Sequence, residues 1–333
     1  MAVKMAINGF GRIGRCVARI ILERDDVELV AINDTATRDL TRYLLKYDSV
    51  HGEFKHSVNV INDDYIEVDG KKIRVFSTRE ADELGFSDFG AQVVLECTGA
   101  HLSSEKCEKF INRGVGKVIM SAPAKDDTPT YVYGVNSDSY AGEAIISNAS
   151  CTTNCLAPVA KVLDDKFGID RGLMTTIHSY THGQSIVDAK CAKDVRRGRA
   201  GAANMGPTST GAAKAIGLVM PHLKGRLNGI SVRVPTVNVS MIDLTAVLKR
   251  SVSAEELNEA FKEAERGYMA GVLAVDSDKR VSSDFNGSGY SSIVIEDMTR
   301  VVADDTVKVL AWYDNEWGYS QRLVDMAALM VTK

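Results

Sequence analysis

The chain has 333 residues, a formal net charge of −4 at pH 7, and a composition in which 45% of the residues are hydrophobic and 25% are charged. This length exceeds that of most single hydrophobic cores, so two domains are expected, and the composition is that of an ordinary globular protein. The small negative charge predicts no general attraction to nucleic acid or to an anionic membrane surface.

The amino terminus and the cysteines predict a cytoplasmic protein without a membrane anchor. No run approaches the roughly 18 consecutive apolar residues of a transmembrane helix. Residues 1–5 lead into a strand pattern and lack the features of a signal peptide. The six cysteines have irregular spacing, which indicates free thiols in a reducing compartment and not a disulfide scaffold.

The first half of the chain alternates strand patterns with helix patterns. Residues 3–7 predict a strand, apolar residues from Ile13 to Ile21 follow at helical spacing, and residues 27–32 predict a second strand. Further strands are predicted at 93–96, 118–120 and 144–146. This alternation is typical of right-handed βαβ units that build a parallel sheet.

A glycine-rich turn lies between the first strand and the first helix. Gly9, Gly11 and Gly14 have the spacing G-x-G-x-x-G. Gly9 would permit the tight turn, Gly11 a close approach of the backbone to a pyrophosphate, and Gly14 the packing of helix on strand. Asp34, at the end of the second strand, has the position of an acidic residue that binds a ribose. Together these features predict a dinucleotide site, whereas glycines that only turn the chain are the alternative.

The segment Ser-Asn-Ala-Ser-Cys-Thr-Thr-Asn-Cys at 147–155 precedes a helix pattern. Cys151 at the head of a helix is expected to gain thiolate character from the unpaired N–H groups and the helix dipole. Pro158 leaves the start of this helix open, because proline is tolerated only in a first turn unless the helix kinks. No cysteine or histidine pair with zinc spacing accompanies Cys155, so we predict a buried structural thiol there and no metal.

A catalytic thiol needs a base, and the chain has six histidines. Spacing cannot choose among them, because catalytic partners are adjacent in space and not in sequence. His178 is a candidate because it lies on a predicted strand at 173–180, between threonine and serine residues. A hydrogen-bonded core histidine is the alternative interpretation.

The second half has a different pattern. Residues 230–249 alternate in polarity and favour antiparallel strands with one solvated face. Residues 307–313 predict one more strand, and a terminal helix is predicted from apolar residues between Leu323 and Met330. The change near residue 150 predicts a boundary between an α/β half and an α+β half.

Four segments carry a resemblance to a known family. INGFGRIGR, ASCTTNC, PTSTGAAKA and WYDNEWGYS are similar to segments of the phosphorylating glyceraldehyde-3-phosphate dehydrogenases of bacterial type, and the resemblance covers essentially the full length. It implies a Rossmann NAD-binding domain over residues 1–150, completed by a C-terminal helix at 315–333. It also implies a catalytic domain over 151–314 and a homotetramer. The alternating pattern of the second half predicts that the sheet of this domain is mostly antiparallel.

The resemblance also implies a reaction of glycolysis and gluconeogenesis. D-glyceraldehyde 3-phosphate would be oxidised to 1,3-bisphosphoglycerate through a Cys151 thiohemiacetal and thioester, with hydride transfer to NAD and attack by inorganic phosphate. Cys151 would be the nucleophile and His178 its base. The residues implied for the cofactor are Gly9, Gly11, Arg12, Ile13, Gly14, Asp34, Arg79, Ser121 and Asn315. Those implied for the substrate phosphate and inorganic phosphate are Ser150, Thr152, Thr181, Arg197, Thr210, Gly211 and Arg233.

Arginine suits these anion sites because a guanidinium binds phosphate bidentately and stays charged. Taken alone, the basic run of Lys193, Arg196, Arg197 and Arg199 predicts a solvated face. The resemblance selects only Arg197 from it.

The sequence departs from the family pattern in the loop after His178. Ala189 and Lys190 follow Asp188 where many NAD-dependent members have a bulky uncharged pair, and Thr35 beside Asp34 resembles members that accept NADP. We therefore predict that NADP is also accepted.

Two alternative functions stay open. The first is erythrose-4-phosphate dehydrogenase, which residues 232–244 and His182 favour slightly, whereas Thr181 and PTSTGAAKA favour the glyceraldehyde enzyme. The second is a non-catalytic binding protein on the same scaffold, against which an intact set of Cys151, His178 and two arginines argues.

Overall fold

The computed structural model describes residues 2–192 and 194–333, which divide into two compact units. Unit 1 comprises the described residues up to Tyr133, together with Ser137–Ser150 and Ser320–Lys333. Unit 2 comprises Gly134–Asn136 and Cys151–Tyr319. Within the described residues, no helix combines the length and the apolar character needed to cross a membrane.

Unit 1 is built on a single eight-stranded sheet with the strand order β3-β4-β5-β2-β1-β6-β7-β8. Its strands are β1 Val3–Asn8, β2 Val27–Asn33, β3 Val58–Asn62, β4 Tyr65–Val68, β5 Lys71–Phe76, β6 Val93–Glu96, β7 Lys117–Met120 and β8 Ile145–Ser147. The strands from β5 to β8 in this order are parallel, and β3 and β4 extend the sheet as an antiparallel meander. Three helices of this unit are α1 Arg12–Leu22, α2 Arg38–Lys46 and α3 Ser104–Asn112.

The central strand of unit 1 is apolar because both of its faces are covered. Met5, Ala6 and Ile7 in β1 are fully buried, as expected for a strand inside a parallel sheet. Phe86 and Phe110 lie in the same core cluster as Ala6 and Val94, which ties α3 to the sheet. The carboxyl ends of β1, β2 and β6 therefore meet at one edge, where ligands of open α/β sheets bind.

Unit 2 is built on a second sheet, with the order β10-β11-β9-β12-β16-β14-β13 and with β15 paired to β16. Its strands are β9 Ile169–Ser179, β10 Gly206–Ser209, β11 Leu227–Val234, β12 Ser240–Leu248, β13 Leu273–Asp276, β14 Ser292–Ile295, β15 Arg300–Val302 and β16 Thr306–Tyr313. Its helices are α4 Cys151–Phe167, α5 Ala212–Val219 and α6 Ala254–Arg266, and α7 Trp317–Thr332 closes the chain. Only β9–β11 and β13–β14 are parallel pairs, so the prediction of a mostly antiparallel sheet is confirmed.

The structure fixes where helix α4 begins, which Pro158 had left open in the sequence analysis. The helix begins at Cys151 and continues through Pro158, which lies in its interior. An interior proline loses one backbone hydrogen bond and costs roughly 3 kcal/mol in an exposed helix. Here α4 packs against β12, β14 and β16, and residues from Thr152 to Val162 are almost all buried. Tertiary packing thus offsets the local penalty, and Cys151 is the first residue of the helix.

The predicted elements of the first half agree with the structure to within one or two residues, and the alternating stretch at 230–249 is two strands, β11 and β12. The meander β3–β5 and the helices α2, α3, α5 and α6 were not predicted. These elements are short or amphipathic segments whose burial depends on distant partners.

Candidate active site

A cavity of about 310 Å³ lies in unit 1 at the carboxyl ends of β1 and β2. It is lined by Asn8, Gly9, Asn33, Asp34, Thr35, Thr78, Arg79, Ala81, Leu84, Thr98, Ala100 and His101. The lining therefore includes three of the residues predicted to bind the cofactor, Gly9, Asp34 and Arg79. Its position is that of the dinucleotide crevice of doubly wound sheets.

The glycines of the turn beside this cavity are of two kinds: protein contacts require Gly9 and Gly14, whereas no protein contact requires Gly11. Gly9 has φ of +94°, and a Cβ there would lie 2.7 Å from Thr98. A Cβ at Gly14 would lie 2.1 Å from the carbonyl oxygen of Gly9, so α1 could not pack this closely on the turn. By contrast, no protein atom lies within 4 Å of a Cβ placed at Gly11, the residue before α1. The space at Gly11 therefore suits a ligand phosphate at the helix amino terminus.

Arg12, the first residue of α1, is held by an acidic partner. Its Nη2 donates to Oδ1 of Asp48 at 3.1 Å, and its Nη1 donates to Oδ2 at 2.5 Å. Burial would raise the pKa of Asp48, but the hydrogen bonds from Arg12 and from the backbone N–H groups of His51 and Val50 lower it to about 2. The guanidinium is thus fixed at the start of the helix.

The other predicted cofactor residues have different surroundings. Ile13 follows Arg12 in α1, and Ser121 follows β7, where its N–H donates to the Glu96 carbonyl at 2.9 Å. Arg12, Ile13 and Ser121 are not part of the described lining of the cavity. Asn315 belongs to unit 2, where its Oδ1 accepts from the hydroxyls of Ser179 and Ser240 at 2.9 and 2.7 Å. These two bonds orient the amide with its NH₂ group directed away from both serines.

The thiol of Cys151 and the imidazole of His178 form a close pair in unit 2. Sγ of Cys151 lies 3.5 Å from Nε2 of His178. Cys151 is placed by the start of α4, and His178 by the penultimate position of β9, where it is only 3% exposed. The distance is that of a loose hydrogen bond to sulfur, as expected between a nucleophile and its base. The structure therefore brings His178, of the six histidines, to the thiol.

Arg233 contacts the opposite nitrogen of the same imidazole. Its Nη1 lies 2.7 Å from Nδ1 of His178 and donates to the Ser179 carbonyl oxygen at 2.9 Å. Nδ1 of His178 is also 2.8 Å from that carbonyl oxygen. Arg233 lies opposite His178 because β11 pairs with β9 in a register that aligns the two residues.

The charges around this pair differ from the sequence-based expectation. Burial and the neighbouring charge of Arg233 lower the pKa of His178 to about 3, so the imidazole is neutral. The expectation of thiolate character at Cys151 is not met in this arrangement. Burial raises the pKa of its thiol and outweighs the opposing effects of Arg233 and of hydrogen bonds with Thr152. Both shifts favour the uncharged forms of the two side chains.

Tyr313, which the sequence analysis did not single out, contacts the first turn of α4. The hydroxyl of Tyr313 lies 2.8 Å from Oγ1 of Thr152 and 2.9 Å from Oγ1 of Thr176. Its ring packs edge-on against the His178 ring, with centroids 5.9 Å apart. Burial raises the pKa of Tyr313 well above its ordinary value, so the hydroxyl keeps its proton and can donate. The only sequence signal was its place in the WYDNEWGYS segment.

Two arginines predicted to bind phosphate, Arg197 and Arg233, lie close together in unit 2. Arg197 and Arg233 line one cavity. Burial is the main cause of the lowered pKa of Arg233, and the charge of Arg197 adds to it. The Nε atoms of both arginines are buried without a hydrogen-bond partner in the described structure. A Cβ at Gly183 would lie 3.7 Å from both Oγ1 of Thr181 and Nη2 of Arg197, so these two side chains flank one point.

The neighbouring arginines, Arg196 and Arg199, form ion pairs with surface carboxylates. Arg196 pairs with Asp194 at 3.0 Å and Arg199 pairs with Asp188 at 2.7 Å, both on the surface. Lys193 lies outside the described residues. Arg197 is thus distinguished from the rest of the basic run by the buried Nε of its side chain.

The remaining predicted phosphate residues precede two helices of unit 2, α4 and α5. Thr210 and Gly211 precede α5, and the Thr210 hydroxyl accepts from the Ala212 N–H at 3.2 Å. Ser150 directly precedes Cys151 in the chain.

All six cysteines are free thiols. Burial raises the pKa of Cys107 to about 12, and it raises the pKa values of Cys97 and Cys155 further. Cys155 is fully buried in α4, in agreement with the predicted structural role.

Comparison with known proteins identifies relatives over the whole chain. The model of the glyceraldehyde 3-phosphate dehydrogenase NAD-binding domain matches residues 3–104, and the model of the C-terminal domain of the same enzyme matches residues 150–315. A glyceraldehyde-3-phosphate dehydrogenase 1 from Bacillus cereus is 52% identical over 99% of both chains. One from Geobacillus stearothermophilus is 51% identical over 100% of this chain and 99% of its own. The chloroplastic B form from Pisum sativum is 52% identical over 99% of this chain and 74% of its own.

Proposed function

The chain belongs to the glyceraldehyde-3-phosphate dehydrogenase family, and from that premise we propose that Cys151 and His178 carry out the family's reaction. The reaction is the oxidation of glyceraldehyde 3-phosphate by NAD, coupled to inorganic phosphate. The observation that carries the assignment is the 3.5 Å approach of Sγ of Cys151 to Nε2 of His178. Unit 1 is proposed as the NAD-binding domain, completed by the end of α7, and unit 2 as the catalytic domain.

The geometry explains how a thiol with a raised pKa can attack an aldehyde. As Sγ bonds to the carbonyl carbon, the thiol proton passes to Nε2 of His178, which delivers it to the carbonyl oxygen. The product is a thiohemiacetal on Cys151. Proton transfer to an adjacent neutral base removes the need for a standing thiolate. The lowered pKa of His178 favours the neutral imidazole, and Nε2 accepts the thiol proton when the single ring proton lies on Nδ1.

Oxidation and release use the same two residues. NAD accepts a hydride when it is bound. His178 takes the hydroxyl proton of the thiohemiacetal as the hydride leaves the carbon, which gives a thioester. Inorganic phosphate then attacks the thioester carbon, and the Cys151 sulfur leaves and recovers a proton from His178. The backbone N–H groups at the start of α4 and the Thr152 hydroxyl, held by Tyr313, are suited to the developing negative oxygen.

Two anions enter this reaction, and two arginines with buried Nε atoms are available for them. We assign Arg197 and Thr181 to one phosphate and Arg233 to the other, with Ser150, Thr210 and Gly211 as further predicted contacts. Two guanidinium groups that share a cavity repel each other, and an anion relieves that repulsion.

The direct test follows NADH at 340 nm with purified protein, glyceraldehyde 3-phosphate and NAD, with and without inorganic phosphate. Sustained turnover that requires phosphate, and its loss in Cys151→Ser, would support the assignment. Turnover with erythrose 4-phosphate but not with glyceraldehyde 3-phosphate would favour the sister enzyme. Silence with every aldehyde would favour a binding protein on the same scaffold.

NADP is a second cofactor that we infer on separate grounds. Thr35 lies on the cavity wall beside Asp34 and the exposed Arg79, and Lys190 is exposed in its loop. The small hydroxyl side chain of Thr35 and the exposed guanidinium of Arg79 favour a 2′-phosphate in this cavity, although the Asp34 carboxylate opposes it. A catalytic efficiency with NADP less than about one-thousandth of that with NAD, roughly 4 kcal/mol of discrimination, would contradict this inference.

We further propose a homotetramer in the cytoplasm, with no membrane or nucleic-acid partner. The loop after β9 exposes large apolar side chains: Ile186 is 91% exposed, Val195 79% and Met205 74%. Several large apolar side chains exposed in one loop are typical of a surface that another chain covers. Light scattering of the purified protein would give the mass, and a monomer at micromolar concentration would contradict the proposal.

A further inference from the structure

A glutamine that the reaction above does not use is bonded to one of the predicted phosphate residues. Gln184 lies three residues after Thr181, in the loop that follows β9. Its Oε1 accepts from the backbone N–H of Thr181 at 2.9 Å and from the Thr181 hydroxyl at 3.2 Å. The backbone N–H of Gln184 donates in turn to the Thr181 carbonyl oxygen at 2.9 Å. The two residues are therefore joined through both the backbone and the side chains.

The backbone N–H of Thr181 fixes which end of the Gln184 amide it faces. An N–H group can only donate, so the amide must present its oxygen to it. Nε2 of Gln184 is buried and has no hydrogen-bond partner among the described residues. The start of the side chain is held by packing, because a Cβ at Gly201 would lie 3.0 Å from Cβ of Gln184 and 3.3 Å from Cβ of Tyr180. The bonds to Thr181 and this close approach together set the position of the amide oxygen.

The Thr181 hydroxyl lies beside a guanidinium that we assigned to a phosphate. Gln184 lines the cavity that Arg197 and Arg233 share. Oγ1 of Thr181 and Nη2 of Arg197 each lie 3.7 Å from a Cβ placed at Gly183. A phosphate oxygen near Arg197 offers the hydroxyl a charge-assisted hydrogen bond, which is stronger than the 3.2 Å bond to a neutral amide. The hydroxyl can therefore turn to the phosphate while the N–H of Thr181 stays on Oε1.

We propose that Gln184 is a positioning residue for phosphate binding, which holds Thr181 by its N–H and lets the hydroxyl turn to the phosphate that Arg197 and Thr181 bind. This inference rests on the proposed function, because that anion is one of the two phosphates of the reaction. A hydroxyl that is already in place lowers the cost of ordering the site when the anion binds. The effect of Gln184 should therefore appear in the KM for one phosphate, and it should depend on the Thr181 hydroxyl.

The test is a double-mutant cycle on the full chain, with NADH followed at 340 nm. Gln184→Met keeps the length of the side chain and removes the acceptor, whereas Thr181→Val removes the hydroxyl and keeps the N–H. KM is measured for glyceraldehyde 3-phosphate and for inorganic phosphate. We expect Gln184→Met to raise one of these two KM values about three- to tenfold, with the other KM and kcat within about twofold. In the Thr181→Val background, Gln184→Met should change the same KM by less than about twofold.

Two further variants separate positioning from a role in the fold alone. Gln184→Glu keeps an oxygen acceptor for Thr181, but its carboxylate holds the hydroxyl proton more strongly and repels an anion. It should raise the same KM at least about tenfold. Gln92→Met is the matched control, because Oε1 of Gln92 also accepts from a backbone N–H, that of Lys4 at 3.0 Å, but lies in unit 1. It should leave both KM values unchanged.

The outcomes distinguish the role of Gln184 from the proposed function. Unchanged KM values in Gln184→Met, or an equal rise with and without the Thr181 hydroxyl, would overturn the role. Wild-type KM values in Gln184→Glu, or a rise of both KM values together with a fall in kcat, would show that the glutamine serves only the fold of the loop and would overturn it as well. No turnover by the wild type with either phosphate present would contradict the proposed function, and this inference with it.

Discussion

Nη1 of Arg233 lies 2.7 Å from Nδ1 of His178, on the side of the imidazole opposite to the Cys151 thiol. A guanidinium can only donate, so this contact requires a lone pair on Nδ1 and places the imidazole proton on Nε2. With that tautomer, Nε2 cannot accept the thiol proton. If Nδ1 instead carries the proton, it donates to the Ser179 carbonyl oxygen at 2.8 Å, and Nε2 presents a lone pair to the thiol.

The two tautomers connect phosphate binding with the proton transfer. A substrate phosphate that draws Arg233 away from Nδ1 would release that nitrogen to the Ser179 carbonyl, and His178 would then be a competent base. Part of the binding energy of the substrate phosphate would thus serve to convert His178 into the tautomer that accepts the thiol proton.

Replacing Arg233 with glutamine should therefore impair binding of the substrate phosphate, whereas proton transfer to His178 would no longer require the guanidinium to leave Nδ1. We expect kcat/KM for glyceraldehyde 3-phosphate to fall about 100- to 1,000-fold, roughly 3–4 kcal/mol. Unphosphorylated glyceraldehyde, which cannot recruit Arg233, should lose much less. Arg196→Gln is the control, because Arg196 is exposed and pairs with Asp194. Equal losses for both aldehydes would show that Arg233 acts only through the fold of the site.

The thiol of Cys151 should respond to pH as a thiol with a raised pKa. Its thiolate fraction in the free enzyme is small near pH 7 and grows as the pH rises above the ordinary range of a cysteine. The rate of alkylation by iodoacetamide, followed by mass spectrometry at Cys151, should therefore keep rising between about pH 7 and 9.5. A rate that is already constant from pH 6 to 8 would show a standing thiolate and contradict the neutral pair.

These site contacts show where sequence reasoning reaches its limit. The glycine turn and Asp34 could be proposed from the sequence because their spacing is local and belongs to one strand–helix–strand unit, β1–α1–β2. The contact of Arg233 with His178 depends on the register between β9 and β11, which pairs residues far apart in the chain. Tyr313 contacts Thr152 and Thr176 through a third strand, β16. Neither contact leaves a periodic signal, and the burial that raises the Cys151 pKa follows from the same long-range packing.

The ion pair of Arg12 and Asp48 should stabilise unit 1 in a pH-dependent manner. The pKa of Asp48 is lowered to about 2 in the folded protein, so its contribution is present above the unfolded value near 3.9 and is lost as the pH falls through 2. Asp48→Asn should lower the free energy of unfolding by about 1–2 kcal/mol at pH 7, after allowance for partial exposure. The difference from the wild type should shrink below about pH 3.5 in urea unfolding experiments. A constant difference from pH 7 to pH 3 would show that the asparagine acts through packing alone.

The glycine turn offers a pair of substitutions that separate folding from cofactor binding. A Cβ at Gly14 meets the Gly9 carbonyl oxygen at 2.1 Å, so Gly14→Ala should force α1 away from the turn and destabilise the protein by about 3 kcal/mol or more. Gly11→Ala meets no protein atom within 4 Å and should change stability by less than about 1 kcal/mol.

The effect of Gly11→Ala should instead appear in binding, because the new methyl group occupies the space predicted for a pyrophosphate. We expect its Kd for NAD to rise at least about tenfold, or 1.4 kcal/mol, in a titration of the full chain. Thermal unfolding without ligand is the control for both variants. Since no protein group explains the glycine at position 11, a wild-type Kd for NAD in Gly11→Ala would mean that the pyrophosphate does not approach this turn, and the cofactor would then have to lie farther along the cavity.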